Sequence, residues 1–214
     1  VVGLLEQVAA HQLENVSLLS AFKLVPPALS ALAADSEVQV DAFLCPAHVS
    51  AIIGSEAYRP FVETQHIPCV VAGFEPLDIL YGLLELIAQL TEGRAELVNQ
   101  YDRVVKPHGN RRAQELVQRT CEVSPAAWRG IGTIDFSGLR LRDEFAPFDA
   151  EQRFGVSTIG GEPDKGCRCG DVLKGKLRPD QCPLFAKRCQ PLSPVGPCMV
   201  SAEGSCSAYY KYMR

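Results

Sequence analysis

Residues 67–93 read IPCVVAGFEPLDILYGLLELIAQLTEG. The segment opens with a short, wholly apolar run, IPCVVA, closed by Gly73. An apolar run of that length between turn residues marks a strand buried on both faces. Pro76 then suits the first turn of a helix, where a missing N–H costs little. Ile79, Leu80, Leu83, Leu84, Ile87 and Leu90 share one broad face of that helix, and Gly93 is its natural C-cap. A buried strand running straight into a long amphipathic helix is half of a βαβ unit.

The alternation continues upstream. Residues 15–21 (NVSLLSA) and 38–45 (VQVDAFLC) read as two further strands. A helix opening at Pro26–Pro27 and stopping near Asp35 follows the first, and a short helix over 48–53, ending at Gly54, follows the second. The pattern predicts an α/β fold, with a parallel sheet, flanking helices and Rossmann-like βαβ units. Ligands in such folds bind beyond the carboxyl ends of the strands, which here means loops 20–23, 45–48 and 73–78. Those loops offer His48, Glu75 and Asp78 as cleft-lining candidates. The two acids, both near the start of a helix, equally suit the role of complementing its dipole. Downstream, 110–121 reads as an amphipathic helix, 133–142 as a hairpin turning at Ser137–Gly138, and 149–154 as a short helix.

Composition narrows the class. The chain has 214 residues, 47% hydrophobic and 21% charged, so it can bury a core and is not disordered. Charges interrupt every apolar run before membrane-spanning length, which predicts a soluble protein. The chain opens on Val1, with Val1, Leu4, Leu5 and Val8 at helical spacing and no basic leader or cleavage site. Residues 1–13 therefore read as the trailing helix of a truncated N-terminal domain, 14–156 as the α/β domain, and 157–214 as a separate Cys-rich domain. Gly160, Gly161, Pro163 and Gly166 form the linker into it.

That tail is the most informative part. Six of the nine cysteines fall between Cys167 and Cys206, whereas Cys45, Cys69 and Cys121 are scattered, two of them in apolar segments where Cys acts as a small buried hydrophobe. Pro or Gly recurs every few residues, and apolar periodicity is weak. Such a segment cannot bury enough surface to offset its conformational entropy, so metal ligation or disulfides must hold it. A secreted disulfide scaffold would spread its bridges along a short chain. One dense cluster in a longer chain points to metal or redox chemistry in the cytoplasm. Structural zinc prefers C-x2-4-C pairs, and none with two intervening residues occurs here. A cubane offers four separate irons, so its ligands can arrive singly from spaced loops. Spacing leaves iron–sulfur, zinc and disulfides all open. The string from Gly170 to Lys176 fits G-x4-G-K, but Leu177 replaces the magnesium-binding hydroxyl, so it is not a phosphate loop. From Cys167 to Arg214 the net charge is +5, within a chain of −4. Basic neighbours of a thiolate cluster account for that excess better than nucleic-acid binding does.

At these residues a family resemblance emerges. The blocks CRCGDVLKG, CPLFAKRC and PVGPCMVSAEGSCSAYYKY, with SAFKLVPPAL, PAHVSAIIGSEAY and PCVVAGFEPLDIL upstream, resemble the HypD family of hydrogenase maturation proteins. In that family four [4Fe-4S] ligands follow C-x14-C-x6-C-x16-C, a spacing that Cys167, Cys182, Cys189 and Cys206 match. Cys169 and Cys198 match a family pair able to form a disulfide beside the cluster, as in ferredoxin:thioredoxin reductase. The family's N-terminal Cys-Gly-x-His and Gly-Pro-Gly-Cys-Pro-Val-Cys motifs are not found here.

The resemblance implies a maturation scaffold with redox activity rather than a conventional enzyme. With the chaperone HypC it would hold an iron while the Fe(CN)2CO unit is built. Cyanide would arrive through HypE with HypF, and the product would pass to the hydrogenase large subunit. The cluster and the Cys169/Cys198 dithiol would supply electrons. His48, Glu75 and Asp78 would line the cleft near the iron. Glu203, three residues before Cys206, is placed to orient a proton or partner group and equally suits a solvated surface acid. Tyr209, Tyr210 and Tyr212 are expected to pack the C-terminus down. Two other readings stay open: a stand-alone cluster-linked thiol–disulfide reductase and a zinc-stapled interaction module.

Overall fold

The computed structural model describes residues 1–128, 130–156 and 164–213. Two compact units are present. The first comprises residues 1–31, 41–126 and 135–157, and the second 32–40, 127–134 and 158–214. The expected linker residues Gly160, Gly161 and Pro163 lie outside the described residues.

The first unit is built on a three-stranded parallel sheet in the order β1 (Phe43–Pro46), β2 (Cys69–Ala72), β3 (Leu97–Asn99). Phe43 pairs with Cys69, and Cys69 with Leu97. All four β2 residues are buried, as the apolar run requires of a central strand covered on both faces. Flanking helices α3 (Ala47–Ile53), α4 (Arg59–Gln65) and α5 (Pro76–Glu92) complete the α/β layers. Pro76 opens α5, and Gly93, left-handed at φ 66°, closes it. Helix α1 (Val2–Ala10) also belongs to this unit and buries Leu5 against Cys121 and Leu141.

The apolar face of α5 is reversed from the sequence expectation. The face on the sheet is Asp78, Gly82, Leu86 and Gln89. Leu80, Leu83, Leu84, Ile87 and Leu90 are exposed, Leu84 by 62% and Ile87 by 60%. Gly82 decides the matter: a Cβ there would stand 2.7 Å from Leu44 Cδ1 and 3.0 Å from the Ala72 Cβ, so only glycine lets the helix lie this close to the strands.

Three expected elements are also revised. Residues 15–21 form no strand: Leu18 makes an isolated bridge to Asp149, and Ser20 Oγ donates to the Leu139 carbonyl. The strand expected over 38–45 shrinks to β1, because Gln39 N–H donates to the Lys174 carbonyl at 2.7 Å instead of to the sheet. The hairpin is β4 (Cys121–Trp128) with β5 (Gly132–Leu141), so Ser137–Gly138 lies within a strand rather than at the turn. Gly138 marks a close approach, since its Cβ would come within 2.7 Å of the Ala126 Cβ. Helices α2 (Val25–Ala34), α6 (Arg111–Thr120) and α7 (Ala150–Phe154) fall where expected, the last two capped by the side chains of Asn110 and Asp149.

Among the described residues, the tail contributes short helices, α8 (Cys169–Leu173), α9 (Pro197–Val200) and α10 (Ser205–Tyr212), and a 3-10 turn over Pro179–Gln181. Its buried cluster consists of Cys169, Cys189, Cys198, Met199 and Cys206, with Leu184, Phe185 and Tyr210 packed against it. Cysteine takes the place that leucine and valine hold in the first unit. No helix among the described residues is long and apolar enough to cross a membrane.

Candidate functional site

Six cysteines from separate short elements meet in the second unit. Cys169 begins α8, with Cys167 two residues before it. Cys182 directly follows a 3-10 turn over Pro179–Gln181. Cys189 is bridged to Phe185, Cys198 lies in α9, and Cys206 lies in the first turn of α10. All six line one narrow cavity of about 10 Å3, and Val172, Leu184, Phe185, Gly196 and Met199 supply the rest of its wall. Among the described residues, no acidic, hydroxyl, carboxamide or basic side chain lines it. Phe185 is braced by edge-on contacts with Tyr209 (5.8 Å) and Tyr210 (5.9 Å), while Tyr212 is exposed and does not share that packing.

The polar groups that reach the cavity are aimed at sulfur. The Val195 N–H donates to Cys189 Sγ at 3.4 Å, and the backbone at Cys169 hydrogen-bonds to Cys167. Amide donors of this kind favour thiolates. Burial nevertheless pushes the Cys167 thiol up, with neighbouring thiols adding to the effect. Donation from Cys198 pulls Cys206 down. Contact with Cys169 lowers Cys198, but its donation to Cys206, its burial and nearby thiolates outweigh that and push it up to about 11. Gly196 is required at its place, since a Cβ there would stand 2.5 Å from Cys167 Sγ.

The donor set is therefore all sulfur in an apolar wall, which suits an iron–sulfur cluster. Among the described residues, no three His, Cys, Asp or Glu side chains stand close enough to share a single metal ion. All nine cysteines are unbridged, Cys169 and Cys198 are in hydrogen-bond contact, and both are buried. Glu203 is exposed and does not line the cavity. Several basic side chains of the tail are engaged with acids: Arg168 with Asp171, Lys174 with Asp35, Lys176 with Glu37, and Arg188 with Asp164.

The carboxyl edge of the parallel sheet, in the first unit, holds the other candidates. His48, exposed, stacks on Phe74 with ring centroids 5.2 Å apart. Asp78 is buried in the first turn of α5 and accepts two hydrogen bonds from Arg103, at 2.9 and 2.6 Å. That guanidinium holds the carboxyl down at about 2. Arg103 also lies 4.0 Å over the Tyr101 ring, and the Tyr101 hydroxyl reaches Glu75 at 3.5 Å. Gly73 is required here, because a Cβ would strike both the Tyr101 ring and Asp78. The third loop at this edge is 100–103, after β3. The expected third loop, 20–23, instead pairs with the hairpin, Lys23 bridging Gly138. Sequence reading missed Tyr101 and Arg103 because it missed β3; a polar NQYDR run directly after an apolar triplet was the available signal. Cys45 and Cys69 are buried in the sheet as small hydrophobes, their mutual hydrogen bond and burial pushing the Cys45 thiol well up.

Comparison with known proteins places these features. The profile described as "HypD: Hydrogenase formation hypA family" matches residues 1–213. The chain belongs to the HypD family. It is 45% identical over 216 residues to the hydrogenase maturation factor HypD of Azotobacter vinelandii, covering 98% of this chain and 57% of that protein. The hydrogenase expression/formation protein HupD of Azotobacter chroococcum mcd 1 is 44% identical, with the same coverage. The HypD of Cupriavidus necator is 41% identical over 218 residues, covering 99% of this chain and 58% of its own. This HypD-family chain thus spans somewhat more than half the length of those relatives.

Proposed function

We propose that this chain is the part of a hydrogenase maturation factor that binds a [4Fe-4S] cluster and carries out thiol–disulfide exchange. The observation that carries the reading is the convergence of all six tail cysteines on one apolar cavity. Cys167, Cys182, Cys189 and Cys206 would hold the cluster, following the family spacing. When bound, it supplies one-electron reduction or oxidation beside the dithiol. The backbone N–H groups of Val195 and Cys169 steady the Cys189 and Cys167 sulfurs, and the apolar wall excludes water. Cys169 and Cys198, already in contact, are placed to open and close a disulfide.

In the whole protein these groups would serve the building of the Fe(CN)2CO unit. The iron is cargo, held with HypC, given cyanide through HypE and HypF, and passed on to the hydrogenase large subunit. His48, Glu75 and Asp78, on one sheet edge with Arg103, would form part of the cleft in which that iron is handled. The chain acts as a scaffold with redox activity.

Anaerobic purification followed by iron and sulfide analysis tests the cluster. About four of each per chain is expected, with loss of both on Cys182→Ser and retention on Cys169→Ser. One zinc without sulfide would overturn the reading, and loss of the cluster in Cys169→Ser would overturn the ligand assignment.

A further inference from the structure

Between Leu77 and Leu90, every exposed residue of α5 is leucine, isoleucine or tyrosine. These side chains are 43–67% exposed and occupy one half of the helix surface. Together they leave on the order of several hundred Å2 of apolar surface, the size at which an exposed patch marks a contact surface. Leu77, Leu80, Leu84 and Ile87 fall at alternating spacings of three and four, the a and d positions of a heptad. Tyr81 and Leu83 flank that seam. Gly82 holds the opposite side of α5 close on Leu44 and Ala72, so the outer face is carried by a helix already fixed in place.

The pattern is its own complement. Residues equally far from Gly82 on either side are apolar and exposed together: Tyr81 with Leu83, Leu80 with Leu84, Leu77 with Ile87, and Phe74, just before the helix, with Leu90. A second copy laid antiparallel, Gly82 level with Gly82, sets Leu80 of each against Leu84 of the other and Leu77 of each against Ile87 of the other. Every contact then occurs twice, as a twofold interface requires. The acids of the helix stay out of the seam. Asp78 faces the sheet, and Glu85 and Glu92 lie to the side, by Arg94. Antiparallel alignment also places the positive amino end of each helix dipole beside the negative carboxyl end of the other. An unlike partner would need apolar surface here but would not require the reflection about Gly82.

We propose that two copies of this chain pair through α5 as an antiparallel helix dimer, with the twofold axis at the level of Gly82. The inference is independent of the cysteine centre and adds an interface to the reading above.

The test is sedimentation equilibrium of the 214-residue chain and two variants, purified anaerobically. The wild type should form a species of twice 23.3 kDa that dissociates on dilution. Leu80→Glu and Leu84→Lys should each weaken pairing at least about hundredfold, because each sets two charges against leucine. Mixed in equal amounts, the two variants should pair with each other. Only the antiparallel register brings the introduced carboxylate onto the introduced ammonium while keeping Leu84 of the first chain on Leu80 of the second. Circular dichroism, and unfolding at a dilution where all chains are monomers, should match wild type, since Leu80 and Leu84 are exposed within a single chain. A wild type that stays monomeric at every concentration, as it would if the face served an unlike protein, would overturn the proposal. So would a dimer indifferent to both substitutions. Loss of pairing in each variant without recovery in the mixture would refute the antiparallel register, and the proposal with it.

Discussion

Replacing Gly196 by alanine isolates the geometry of the cysteine centre. Gly196 has φ −96° and ψ 154°, an extended conformation that alanine adopts freely, so backbone strain adds nothing. The whole effect is the new methyl group. It would stand 2.5 Å from Cys167 Sγ and 3.6 Å from the Cys169 Cβ. The first distance is about 1 Å inside ordinary carbon–sulfur contact, so something must move. If the loop moves, the cost is that of overpacking a core, about 1–3 kcal/mol. For a chain of this size that is a fall in Tm of roughly 2–12 °C. If Cys167 turns aside instead, a proposed cluster ligand leaves its place, and bound iron and sulfide should fall. The assay reads both, by thermal denaturation and by iron and sulfide analysis of the anaerobically purified variant. A Gly196→Ala protein with unchanged Tm and full iron and sulfide would show that Cys167 does not need its present position, and the four-ligand assignment would fail with it.

Two further outcomes follow from the first unit. Arg103 chiefly holds the Asp78 carboxyl at about 2 against an ordinary value of 3.8, so the ion pair adds stability that is complete above 3.8 and disappears as pH falls through about 2. The stability gap between wild type and Asp78→Asn, measured by denaturant titration, should be flat above about pH 4 and shrink only below it; closure by about pH 5 would refute the pairing. Leu84→Glu on α5 should change unfolding free energy by no more than about 0.5 kcal/mol, because Leu84 is exposed; a loss of about 2 kcal/mol or more would return that face to the core.

What the sequence made legible was local. The β2 run and the start and end of α5 are written in consecutive residues, and the structure keeps them. The face that α5 buries was not legible, because Gly82 chooses it through contact with Leu44 and Ala72 on other elements. The shortening of the strand before Cys45 has the same origin, a hydrogen bond from Gln39 to Lys174 that crosses more than a hundred residues. Gly138 looked like a turn and is a contact, and β3, at three residues, is too short to show a period. In the candidate site, the density of cysteines pointed to the cavity that all six line, while their division into four ligands and a dithiol is the proposal carried by family spacing. Arg103 was invisible because its meaning depends on β3 and on Asp78, which lies 25 residues earlier.

Cysteine is the core of the second unit and, in the proposed function, its chemistry as well. Among the described residues, four of the five in its buried cluster are cysteines, and the fifth is Met199. A leucine core would persist whatever the thiols did. Here any event that binds, oxidises or displaces the sulfurs also changes what holds the tail folded. Redox chemistry placed in a rigid scaffold can be separated from stability by mutation. In this unit the two should move together at Cys167, Cys182, Cys189 and Cys206. They should separate at Cys169 and Cys198, where the proposed role is exchange and the cluster would remain to hold the loops.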